Sequence, residues 1–201
     1  MRTALAILLL AFWLGAGLLA PAQTRLGPTM SVTIAPNDPG LLYSPYTWWA
    51  NGSTDARANN PGAYLRTVFS GTSAALTFDT SPNTTPFPIV AVNIDGTGWT
   101  RYTVAASVSV ATGLVNREHS LEMVLEATSE LQDRWTTPVA IIRLTGLTLD
   151  TGAAVRLPTR RKYNVLVYGD STSEGIRTIG DTGGTGTLAD NSAVRGWPLA
   201  L

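Results

Sequence analysis

The chain has 201 residues, 44% hydrophobic and only 14% charged, which supports a packed core and excludes a disordered polypeptide. Lysine plus arginine (14) balance aspartate plus glutamate (14), which excludes a basic footprint for nucleic acid or an anionic membrane. There is no cysteine, so the fold must stand on its core alone. The first element reads MRTALAILLLAFWLGAGLLAPAQT: Arg2, an apolar run from Ala4 to Ala20, then small residues at Ala20 and Ala22. This pattern predicts a secretory signal peptide over residues 1–22, cleaved after Ala22, and a secreted or periplasmic protein. The run falls short of a comfortable span, so no stable membrane insertion is expected after cleavage.

From about Met30 to Leu149 the sequence alternates strands with turns and has no helical period. Ser31–Ile34, Ala63–Phe69, Ala74–Phe78 and Phe87–Ile94 read as strands, the last two parted by the breaker run Ser81-Pro-Asn-Thr-Thr-Pro86. Asp95-Gly-Thr-Gly98 predicts a hairpin turn into Trp99–Val104. The Glu-rich stretch around residues 115–131 has helix-like composition. Leu121, Met123 and Leu125 nevertheless alternate with Glu122 and Glu126, which selects a strand. Val139–Leu149 is a long, mostly apolar strand. Eight or so short strands at this spacing predict an antiparallel β-sandwich, jelly-roll-like, over residues 23–160.

Leu157-Pro-Thr-Arg-Arg-Lys162 is a polar hinge, and beyond it the pattern changes. Asn164-Val-Leu-Val-Tyr168 is a continuous apolar run, as in a strand covered on both faces of an α/β sheet. Gly169-Asp170-Ser171 turns the chain, and Thr172–Arg177 is expected to begin a helix. A Gly-rich loop spans 180–187, and Asp190-Asn191-Ser192 is expected to cap a second helix containing Trp197, Pro198 and Leu199. A serine hydroxyl is a weak nucleophile that needs a base and donors for the oxyanion it creates. At a strand-to-helix turn Ser171 projects above the sheet, with backbone N–H groups aimed at developing negative charge. Gly169 permits close backbone approach and Asp170 braces the turn.

VLVYGDSTSEG resembles the first motif block of the SGNH (GDSL-type) hydrolases. GAYL-x-x-VF, EHSLEMVLEATSE-x-x-x-RW and RLTGLTLDTGA resemble the sandwich that precedes that domain in two-domain carbohydrate esterases. Asp190-Asn191-Ser192 followed by Gly196-Trp197-Pro198 resembles the approach to the family's second block. The resemblance implies that residues 161–201 begin an α/β hydrolase domain whose first strand and helices are present but incomplete. It implies Ser171 as nucleophile, its N–H as one oxyanion donor, and Gly169 and Asp170 as supports of the motif turn. It further implies a second-block Gly, a Gly-x-Asn-Asp and a late Asp-x-x-His, none of which follows Ser171. The chain is therefore expected to be an amino-terminal fragment, inactive by itself, of an exported serine esterase. Its substrate would be an acyl ester, acetyl above all, of a carbohydrate or related small molecule. The alternative is a secreted β-sandwich module that binds polysaccharide, with a vestigial tail. A structural domain packed on an unlinked partner is a third reading.

His119, the only histidine, lacks an Asp three residues before it and reads as a strand-edge residue of the sandwich rather than a base. Loop 180–187 has no lysine and fits no phosphate-binding spacing, and Thr182 follows no apolar strand. Trp48, Trp49, Trp99 and Trp135 offer a sugar-stacking platform, against the simpler reading of core aromatics. Asn51 and Asn83 begin glycosylation sequons. The carboxylates form no paired or metal-ligand pattern, so neither metal nor cofactor is expected.

Overall fold

A computed structural model of the chain describes residues 31–162, 167–181 and 187–196. Twelve strands lie among them. They are β1 (Ser31–Ile34), β2 (Leu42–Tyr43), β3 (Trp49–Asn51), β4 (Asp55–Ala58), β5 (Tyr64–Gly71) and β6 (Ala74–Phe78), then β7 (Ile89–Ile94), β8 (Thr100–Thr103), β9 (Ser107–Ala111), β10 (Arg117–Ala127), β11 (Ile142–Asp150) and β12 (Val155–Arg156). They form two six-stranded sheets, and every pairing is antiparallel. Sheet I runs β3-β4-β11-β6-β9, with β1 also on β11. Sheet II runs β12-β5-β10-β7-β8, with β2 also on β5.

The alternation read from sequence decides which side chains face inward. In β5 Leu65, Thr67 and Phe69 are buried between half-buried neighbours, and in β10 His119, Leu121, Met123 and Leu125 are buried along one face. The register places Met123 opposite both Leu65 and Val92, which stacks the inner face of sheet II. Leu76, Ile142, Leu144, Leu147 and Leu149 complete one shared core from sheet I. Each such side chain stabilises the fold by about 1.5–3 kcal/mol relative to exposure. The buried Thr67 is tolerated because its hydroxyl donates to the Gly40 carbonyl at 2.9 Å.

The expected hairpin forms. β7 pairs with β8, and the turn between them has positive φ at Asp95, Gly96 and Gly98. The strand reading of 115–131 holds as β10. Three expectations need correction. His119 is not at a sheet edge: β10 lies between β5 and β7, and the ring is 2% exposed on the inner face, 5.5 Å from Phe69. The helix over Thr172–Arg177 is absent, and 171–179 form consecutive turns. Gly175 (φ 81°) and Arg177 (φ 55°) are left-handed, which interrupts a right-handed helix within its first turn. A single turn of Thr and Ser does little to offset the cost of helix nucleation.

The second expected helix is a 3-10 turn, Ala193–Arg195, and Ser192 makes no side-chain cap. The signal peptide, most of the strand Asn164–Tyr168 (164–166), the middle of the Gly-rich loop (182–186, with Thr182) and Trp197, Pro198 and Leu199 lie outside the described residues. Among the described residues no helix is long and apolar enough to cross a membrane.

Candidate functional site

Ser171 is exposed, at the start of the turns that follow Gly169 and Asp170. Asp170 Oδ1 accepts the Thr172 N–H at 3.0 Å, and bonds from Thr172 hold its carboxyl below the usual carboxylate range. Gly169 is required by packing, since a Cβ there would lie 1.9 Å from Ser173 Oγ. The Ser171 carbonyl accepts the Ile176 N–H at 3.1 Å, which fixes the residue's backbone. Among the described residues, neither its N–H nor its hydroxyl has a hydrogen-bond partner. Ser171, Thr172, Ile176, Arg177 and Glu130 line one shallow depression.

The turn is braced from behind by residues 187–196. Gly175 O accepts the Ser192 N–H at 2.8 Å, Arg177 N–H donates to Asn191 Oδ1 at 2.9 Å, and Ile179 N–H donates to Asp190 O at 3.0 Å. A Cβ on Gly175 would stand 2.2 Å from the Ser192 carbonyl oxygen, and one on Gly180 would stand 2.5 Å from Asp190 Oδ1. Both glycines are explained by close approach of the two segments.

This assembly is fastened to the outer face of sheet II. Glu126 sits where the β10–β7 register slips between Leu125 and Ala127, so a bulge re-aims its side chain. Its carboxylate, 1% exposed, accepts the Ser192 hydroxyl at 2.6 Å and the Val194 N–H at 3.3 Å, and Arg101 Nε lies 3.5 Å away. The Arg101 guanidinium also donates to the carbonyls of Leu188, Ala189 and Asn191 at 2.8–3.1 Å. At the other end Arg134 pairs with Glu174 at 2.8 Å and donates to Thr128 Oγ1 at 3.2 Å. These anchors were missed in the sequence because Glu126 continues the polar face of Glu118 and Glu122. Only the bulge sets it apart.

His119 does not join Ser171. Its Nδ1 lies 2.7 Å from Asp95 Oδ2 and its Nε2 lies 2.7 Å from the Val115 carbonyl, so both ring nitrogens are engaged within the sandwich. The Asp95 carboxyl is held low despite burial, by the bond to His119 and the N–H of Ser120. Among the described residues no cluster of three metal-ligating side chains occurs. The Asn83 side chain is turned inward, its Oδ1 accepting the Ile141 N–H at 2.9 Å. Of the four tryptophans considered, Trp48 packs against the core and Tyr43, while Trp49, Trp99 and Trp135 are exposed.

Neither a protein-family model nor a curated protein sequence matches the chain. Its fold is shared with solved structures of family two carbohydrate esterases. One from Cellvibrio japonicus is 20% identical with a TM-score of 0.68, covering 85% of this chain and 48% of that one. Another, from Clostridium thermocellum in complex with cellohexaose, is 16% identical with a TM-score of 0.64, covering 80% and 47%. An acetyl xylan esterase from the rumen bacterium Butyrivibrio proteoclasticus is 15% identical with a TM-score of 0.55, covering 82% and 43%. The chain thus spans about half the length of the structures it matches. At these identities the likeness establishes a common fold, in keeping with the carbohydrate-esterase-like sandwich expected from the strands.

Proposed function

We propose that this chain supplies the sandwich and the nucleophile of an exported serine esterase that removes acyl groups, acetyl above all, from a carbohydrate. The observation that carries the reading is Ser171, bare at a braced turn that two interlocked segments fasten to the outer face of a carbohydrate-esterase-like sandwich. Ser171 Oγ attacks the acyl carbonyl, and its own N–H donates to the resulting oxyanion. Such donors typically contribute about 3–4 kcal/mol to the transition state. The sugar alcohol leaves, an acyl-enzyme remains on Oγ, and water releases the acid. The proton must pass to a base. His119 is engaged elsewhere, so we assign that role to a histidine beyond these 201 residues, and the 201-residue chain alone should turn over no ester.

The test uses the native exported protein, with its intact mass and amino terminus determined and its gene read past codon 201. The amino terminus should be Gln23. Hydrolysis of acetylated xylan should fall at least about a thousandfold in Ser171→Ala. Full activity in that variant would end the esterase reading. A native protein that ends at residue 201 and binds glycan without hydrolysing ester would instead be a binding module, a reading favoured by the exposed tryptophans.

A further inference from the structure

We propose that loop 130–139 carries a glycan-stacking subsite centred on Trp135, beside the depression that holds Ser171. This rests on the esterase reading above and adds where a sugar ring of the substrate sits. Trp135 is 68% exposed, which forgoes about 1–2 kcal/mol of burial. A bare tryptophan is unremarkable on a floppy loop, but this loop is fixed in detail. Asp133 accepts the backbone N–H groups of Trp135, Thr136 and Thr137 at 2.8–2.9 Å, and its carbonyl accepts the Val139 N–H at 2.9 Å. Those bonds, Thr136 first, hold the Asp133 carboxyl below its usual range. Gln132 Nε2 reaches Thr84 at 2.8 Å, and the Asn59 amide donates to the Arg134 carbonyl. An aromatic surface that is rigid yet unburied is preorganised, so a ligand that covers it meets little ordering cost.

The loop is also joined to the serine. Arg134 lies with its guanidinium carbon 5.4 Å from the Trp135 ring centre and pairs with Glu174, three residues after Ser171. Glu130, at the loop's other end, lines the Ser171 depression itself. Aromatic ring and nucleophile are thus linked through a mostly buried Arg134–Glu174 pair, and through Glu130 of the same loop. Tyr168, 90% exposed, stands three residues before the serine.

The occupant that fits is a pyranose ring of a neutral glycan. Its apolar C–H face complements the negative π-face of an indole, and its hydroxyls suit the flanking Asp133, Thr136 and Thr137. A protein partner would need roughly 800 Å² of its own surface buried, far more than one tryptophan among polar neighbours offers. The zero net charge disfavours a polyanion.

The 201-residue chain, titrated calorimetrically with cellohexaose and with xylohexaose, should bind at least one of them saturably. Trp135→Ala should weaken that binding about tenfold or more, Trp135→Phe should restore part of it, and Tyr46→Ala should bind as the parent does. Thermal unfolding of each variant checks that the fold is intact. Binding indifferent to Trp135→Ala, equal loss in Tyr46→Ala, or no binding of either glycan by the parent would overturn the subsite. In the longer enzyme, Trp135→Ala should raise KM for acetylated xylo-oligosaccharide with kcat held. If Ser171→Ala abolishes turnover while Trp135→Ala moves nothing, only the subsite fails. If turnover survives Ser171→Ala, the esterase reading itself fails.

Discussion

Sheet I and sheet II each bury one carboxylate on an outer face, and each is about 1% exposed, but the two are satisfied in opposite ways. Asp55 of sheet I is closed by its own sheet. Arg57 Nε lies at 2.6 Å on the same strand, Arg143 Nη2 at 3.1 Å on the neighbouring β11, and Arg143 also holds Asp79 at 2.7 Å. Glu126 of sheet II is closed mostly by residues more than sixty positions away, Ser192 and Val194. One carboxylate therefore stitches the sandwich to itself. The other makes sheet II a platform for the segment that backs Ser171. Burial alone does not tell a stabilising charge from a docking charge; the sequence separation of its partners does.

The largest effect should come from Asp55→Ala. It leaves Arg57 without its carboxylate and Arg143 with Asp79 alone, and because both guanidinium groups are about a quarter exposed the cost belongs at the low end for a broken buried pair, about 3 kcal/mol. Urea unfolding followed by tryptophan fluorescence should show a lower midpoint for the whole sandwich. Next comes Gly175→Ala, where the new Cβ meets a carbonyl oxygen at 2.2 Å on a backbone with φ of 81°. We expect about 2 kcal/mol, confined to the interlocked segments. Hydrogen exchange should speed up at the Ser192 N–H and stay slow in β5 and β10. Loss of protection throughout the sandwich would erase the distinction between the two sheets.

The strands were legible where burial alternates. Ser31–Ile34 and Ala74–Phe78 appear within the bounds that periodicity set, and β10 was separated from a helix by Leu121, Met123 and Leu125. β4 was not legible, because Asp-Ala-Arg-Ala presents small and charged residues whose burial depends on ion pairs with β11. β9 was legible and overlooked: Val108 and Val110 point inward between exposed serines. At the candidate site the turn residues Gly169 and Asp170 announce their geometry locally. Arg101, Glu126 and Arg134 do not, since their partners lie tens of residues away and nothing in their own neighbourhood encodes the meeting. The helix expected after Ser171 failed for a related reason. Gly175 and Arg177 take the left-handed conformations that docking against residues 190–192 requires, and a local propensity argument cannot see that surface.

Glu126→Ala sharpens the comparison at a smaller scale. Unlike Asp55, Glu126 has Arg101 as its one cationic partner among the described residues, and Arg101 retains three carbonyl acceptors when the carboxylate is gone. The cost should be about 1–2 kcal/mol, borne by residues 187–196 rather than by the core. Limited trypsin digestion should then cut after Arg195 sooner than in the parent, with the urea midpoint of the sandwich almost unmoved. A midpoint shift as large as that of Asp55→Ala would make Glu126 a second structural stitch and remove the platform role.

The smallest effect tests whether sheet I answers to acid. Asp150, at the end of β11, accepts from the Ser73 and Thr72 hydroxyls and from both backbone N–H groups, which ties the turn between β5 and β6 to the opposite end of the chain path. Those bonds, the Ser73 hydroxyl first, hold its carboxyl below the ordinary value near 3.9. A depressed folded pKa means that the stabilisation is fully present above the unfolded value and is lost as pH falls through the folded one. Asp150→Asn should therefore cost about 1–1.5 kcal/mol at neutral pH, and the gap to the parent should narrow only once the pH drops below about 4. A gap of constant size from neutral to strongly acidic pH would mean that the carboxylate's charge contributes nothing and that shape alone holds the turn. A gap that widened with acid would contradict the depressed pKa outright, because a neutral asparagine cannot lose what protonation takes from the aspartate.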